Sequence, residues 1–121
     1  MDAFRDDVLA GLAAPIPAVP PRWLYDRRGS ELFEQITQLP EYYPTRVETA
    51  LLSDISPAVA GMVETGNAVV EFGSGSSTKT PILLRAVQPS AYVPIDISGD
   101  FLRDSSAALQ ESFPTLPIYP V

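Results

Sequence analysis

Ala68-Val69-Val70-Glu71-Phe72-Gly73-Ser74-Gly75-Ser76-Ser77-Thr78-Lys79-Thr80-Pro81 is the stretch on which the fold turns. Its first five residues are short, apolar and partly β-branched, the pattern of a strand buried on both faces. Two glycines follow, where a backbone must turn tightly. Pro81 has no N–H and is tolerated only in the first turn of a helix. That places a helix start near Ser77 or Thr78 and the glycines in the turn before it. The helix is expected to run to about Val87. Tyr92 to Ile97 reads as a second strand, Ser98 caps a helix burying Phe101, Leu102 and Leu109, and Leu116 to Val121 begins a third strand. The order β-α-β-α-β from residue 67 onward implies parallel strands joined by helical crossovers. The fold class is α/β, with half of a doubly wound, Rossmann-like sheet. Residues 67–121 are expected to form this half-domain.

Residues 1–66 read as a helical segment. Phe4, Val8, Leu9 and Leu12 have helical spacing between Asp2 and Ala14. Pro15, Pro17, Pro20 and Pro21 enforce an extended strap. Ser30 is expected to cap a helix ending near Thr37, with Leu32, Phe33 and Ile36 inward. Thr45 and Glu48 have capping-box spacing, predicting a helix to about Ser53. Ser56-Pro57 is expected to start another, stopped by a left-handed Gly66.

The chain has 121 residues and a net charge of −7, which argues against a nucleic-acid partner needing a basic face. No apolar run approaches the roughly 20 residues needed to span a bilayer, and Asp2, Asp6 and Asp7 do not suit a signal peptide. Without Cys or His, thiolate metal sites, Cys nucleophiles and the Ser-His-Asp triad are excluded. No metal site or acid–base catalytic residue is assigned. The lack of Cys fits a cytoplasmic protein.

The chemistry lies in Glu71-Phe72-Gly73-Ser74-Gly75-Ser76. A helix N-terminus behind a glycine turn offers free N–H groups and positive potential, and three ligand classes use such a turn. For a dinucleotide, G-x-G-x-x-G is broken by Thr78. For a nucleoside triphosphate, Gly73 to Thr80 misses G-x-x-x-x-G-K-[ST] only at Thr78. S-adenosylmethionine folds place an acidic residue at the first strand end, Glu71 here, and a Gly-x-Gly turn under the cofactor's amino-acid part. A second carboxylate takes both ribose hydroxyls. Asp96, 21 residues after Gly75, stands at that place, a distance that also suits a dinucleotide. An ordinary strand–helix turn remains the plain alternative.

Leu24-Tyr25-Asp26, Gly29 through Thr37, Leu39-Pro40-Glu41-Tyr42-Tyr43-Pro44-Thr45-Arg46 and Glu48 resemble the N-terminal signature of histidine-specific methyltransferases of the ergothioneine-pathway type. Glu71 to Gly75 with Lys79-Thr80, and Pro94-Ile95-Asp96-Ile97-Ser98, resemble that family's next motifs in the right order. The resemblance covers essentially the whole chain. It implies S-adenosylmethionine as cofactor, contacted by Gly73, Lys79 and Asp96 within the set Glu71, Gly73, Ser74, Gly75, Lys79 and Asp96. It implies a histidine-like substrate methylated on its α-amine, with Tyr42 contacting the substrate and Tyr25 near its amine. In such a family the sheet continues past Val121, so the half-sheet is expected to be truncated. The first strand is then left with a bare edge through which copies self-associate. A non-catalytic interaction module and a Mg²⁺-dependent nucleotide binder are the alternative functions.

Overall fold

The computed structural model describes residues 2–121. Helix α1 spans Ala3–Leu12, and after the proline strap a 3₁₀ turn covers Pro21–Leu24. Phe4 packs edge-on against Trp23, with ring centroids 5.4 Å apart, and Asp7 accepts the Trp23 indole N–H at 2.8 Å. Asp7 also pairs with Arg22, and these donors hold its carboxyl below the usual range. One helix face thus pins the turn that leads into Tyr25.

Helix α2 is Arg27–Thr37, capped by Asp26 and not by Ser30. The Asp26 carboxylate accepts the Gly29 N–H at 2.7 Å, so the helix is capped four residues before the expected Ser30. A β-carbon on Gly29 would lie 1.9 Å from the Leu24 carbonyl oxygen, so only glycine fits this close approach. Ser30 is instead buried against the body of the chain.

Helix α3 is one continuous element, Pro44–Met62, where two helices were expected. Pro57 lies inside it. Proline removes one ladder bond and crowds the preceding turn, at about 3 kcal/mol. The helix nonetheless continues through Pro57, packed against α4. The capping box also does not form. The helix starts on Pro44, and the Glu48 carboxylate pairs with Lys79. Gly66 is left-handed, with φ 85°, but lies in a turn four residues beyond the helix end.

Strands β1, Ala68–Phe72, and β2, Ala91–Ile95, pair in parallel, with Ala68 opposite Ala91 and Phe72 opposite Ile95. Helix α4, Thr80–Val87, is the crossover between them, and α5, Gly99–Ser112, follows β2. The expected third strand is reduced to a single parallel bridge, Tyr92 to Ile118. Residues 117–121 still run beside β2. Tyr92 N–H donates to Pro117, Tyr119 N–H to Tyr92 and Val121 N–H to Pro94. Pro94 has no N–H to return on that side, which interrupts the ladder.

Leu84, Tyr92 and Leu109 form the buried core, flanked by Val69, Phe113, Leu116 and Ile118. This core covers one face of the sheet. Contrary to the expectation for a doubly buried strand, Val70 is 52% and Phe72 82% exposed on β1. The β1 edge away from β2 has no strand partner among the described residues. No described helix is long and apolar enough to cross a membrane.

Candidate cofactor cleft

The turn after β1 alternates its handedness. Gly73 (φ 66°), Gly75 (φ 54°) and Ser77 (φ 56°) are all left-handed. Only glycine takes that conformation without cost; at Ser77 it costs about 1 kcal/mol. Such alternation turns successive N–H groups inward. Here Gly73 and Ser74 both donate to the Ile95 carbonyl, at 2.7 and 3.2 Å, tying the tip of β1 to the tip of β2.

Asp96 completes the link. One carboxylate oxygen accepts the Gly75 N–H and the other the Ser98 N–H, each at 3.0 Å. The same side chain therefore joins the glycine turn to the start of α5. A carboxylate has about four lone-pair directions, so two remain for hydroxyl donors. A β-carbon at Gly73 or Gly75 would meet nothing within 4 Å, so the turn has open space above it. That space is a cleft of about 530 Å³ walled by Tyr25, Phe33, Phe72, Ile97 and Phe101, with Asp96 at its edge. A largely apolar cleft with a glycine floor and two carboxylates, Asp96 and Glu34, fits a nucleoside.

A second cleft of about 470 Å³ lies against the same turn, with Tyr42, Glu48, Glu71, Ser74 and Lys79 in its walls. The Lys79 ammonium is paired with Glu48. The Tyr42 ring meets Phe33 edge-on at 6.0 Å. Glu71 faces this cleft, but its Oε2 accepts from the Thr80 hydroxyl at 2.8 Å and from the Tyr92 hydroxyl. Its visible work is to anchor the start of α4. Burial, and then the Glu71 bond, push the Tyr92 phenol up to about 12. The hydroxyl of Ser74 is buried without a partner among the described residues.

The sequence-predicted residues thus divide. Gly73, Ser74, Gly75 and Asp96 come together at the strand tips, with Tyr25 across the first cleft. Lys79, Tyr42 and Glu71 gather at the second. Lys79 and Thr80 do not converge as a nucleoside triphosphate requires, because each is held by a different carboxylate. Sequence reasoning missed Phe33, Glu34, Glu48, Phe72 and Phe101 as wall residues. The sequence pattern of Phe33 is that of a core residue, and that of Glu48 a helix cap.

Residues 4–121 match the family model for histidine-specific, SAM-dependent methyltransferases. The histidine N-alpha-methyltransferase of Mycolicibacterium smegmatis is 41% identical over 121 residues, covering 97% of this chain and 37% of the relative. That of Mycobacterium tuberculosis is 43% identical over 115 residues, covering 92% and 36%. Ergothioneine biosynthesis protein 1 of Neurospora crassa is 34% identical over 93 residues, covering 74% of this chain and 11% of its own length. The chain therefore spans a little over a third of the length of the first two. S-adenosylmethionine is the cofactor of the matching family, and the match runs through both clefts and the whole parallel pair. On this evidence of sequence and cleft together, the chain belongs to the histidine-specific, SAM-dependent methyltransferase family.

Proposed function

We propose that this chain carries the donor cleft of an enzyme that methylates the α-amino group of histidine, as in ergothioneine biosynthesis. The observation that carries the reading is the Asp96 carboxylate bonded to Gly75 at the joined strand tips. It presents a fixed acceptor beside a glycine floor.

When bound, S-adenosylmethionine supplies an electrophilic methyl on a sulfonium sulfur. Asp96 would take the two ribose hydroxyls on its free lone pairs. Gly73 and Gly75 let the ligand approach the backbone closely, with Ser74 between them. The Lys79 ammonium has three donors, so beside its Glu48 pair it would also hold the donor's carboxylate. Glu71 supports the turn from beneath through Thr80 and Tyr92. Tyr42 and Tyr25 orient the acceptor, their hydroxyls directing an amine lone pair or bonding an imidazole. The chemistry the donor would supply is an in-line displacement that breaks S–CH₃ and forms N–CH₃, the proton of the resulting ammonium being lost to solvent. Such a step depends on positioning a neutral amine, so a chain without His is suited to it. The lack of Cys favours a cytoplasmic setting.

Titration of S-adenosylhomocysteine into the parent and Asp96→Ala tests the site. Loss of two hydroxyl bonds to a charged acceptor weakens binding by about 2–4 kcal/mol, at least about thirtyfold. Equal affinity in the two proteins refutes the assignment. Transfer of labelled methyl to histidine tests the reaction.

The exposed Val70 and Phe72 on an edge strand favour a second reading for the isolated chain, association of copies along β1.

A further inference from the structure

The two clefts meet over the glycine turn, and Phe33, Glu34, Phe72, Gly73 and Gly75 wall both of them. Glu34 is the one ionisable side chain in that shared set. Asp96 belongs only to the first cleft; Lys79 and Glu48 belong only to the second and neutralise each other. Among the described residues Glu34 takes part in no ion pair, and only its backbone carbonyl accepts a hydroxyl, from Thr37 at 2.6 Å. It is half-buried, on a helix fixed at its start by the Asp26 cap and by an Arg27–Asp104 bond of 2.7 Å to α5. The helix therefore holds one unneutralised carboxylate beside aromatic rings at the junction.

We propose that Glu34 is the counter-charge for the sulfonium of the methyl donor, a specificity-determining residue that favours the charged donor over its neutral by-product. This rests on the cofactor reading above. A ligand with its ribose at Asp96 and its carboxylate at Lys79 has to carry its sulfur across the shared residues. A half-buried carboxylate there is stabilised by a cation, and the aromatic residues Phe33 and Phe72 that wall both clefts suit the same charge. Methyl transfer turns the sulfonium into a thioether and removes the attraction. Glu34 thus helps the enzyme release what it has used.

Calorimetric titration of the full 121-residue chain separates the possibilities, using S-adenosylmethionine and S-adenosylhomocysteine without acceptor. Glu34→Gln is expected to weaken the sulfonium ligand roughly threefold to fivefold, the range of a partly exposed charge pair, and to leave the thioether within about twofold. Glu34→Asp keeps the preference, and Glu111→Gln, on the exposed part of α5, keeps both affinities. An equal change for both ligands in Glu34→Gln, or no change, overturns the assignment while leaving the cleft reading standing. A parent chain that binds neither ligand overturns both. A Glu34→Gln protein that fails to fold shows Glu34 to be structural and also overturns the assignment.

Discussion

Tyr92 gives the sharpest test of how the turn is supported. Its ring is fully buried, and its hydroxyl donates to the Glu71 carboxylate that also holds Thr80. Its phenol is raised from 10.0 to about 12, first by burial and then by that bond. The folded state keeps the phenol proton more tightly than the unfolded chain does. The associated stability is therefore fully present below pH 10 and is lost as pH rises from 10 towards 12. The gap corresponds to about 3 kcal/mol in all, a little over 1 kcal/mol per pH unit. Tyr92→Phe removes this dependence. It also removes a bond to a charged acceptor, so at pH 8 it should be about 1.5–3 kcal/mol less stable than the parent. The two stability curves should then converge as pH climbs. Urea unfolding followed by Trp23 fluorescence, at half-unit steps from pH 8 to 11.5, measures both curves. The remaining tyrosines and lysine are common to both proteins and cancel in the difference. Parallel curves across that range would refute the reasoning.

Leu84→Ala, at a site 2% exposed in the core, should lower unfolding stability by about 2–4 kcal/mol in the same urea assay. Gly75→Ala has free space for its methyl but a left-handed backbone, so it should lose about 1–2 kcal/mol and bind S-adenosylhomocysteine more weakly. Val70→Lys on the free β1 edge should reduce any concentration-dependent mass seen by light scattering; an unchanged association constant would remove that edge from the interface.

Much of the site was legible because its residues have few other uses. Two glycines after a β-branched run, with Pro81 confined to the first helical turn, leave little freedom, and the turn precedes α4 as read, although α4 starts at Thr80, two residues beyond Thr78, because Ser77 is still left-handed in the turn. What escaped depends on distant partners. Asp26 and Ser30 are both competent caps, and only the approach of the Leu24 carbonyl to Gly29 settles where α2 begins. Pro57 looks like a boundary until α3 is seen continuing through it against α4. Glu48 has the spacing of a cap, yet Lys79, thirty-one residues away, takes its charge. Glu34 and Phe33 reach the clefts because of how α2 is set against α5, which no local pattern encodes. The third segment fell short of a strand through Pro94, a residue of its neighbour.

The carboxylate that reaches both the bend and the Ser98 amide just ahead of α5 makes those two amides sense the same electron density. A guest that borrows that density at one end weakens what the Ser98 N–H receives at the other. Occupancy can thus be read by NMR at Ser98 as a chemical-shift change on an amide whose own bond is to Asp96, giving the empty and the filled cleft a signature independent of turnover.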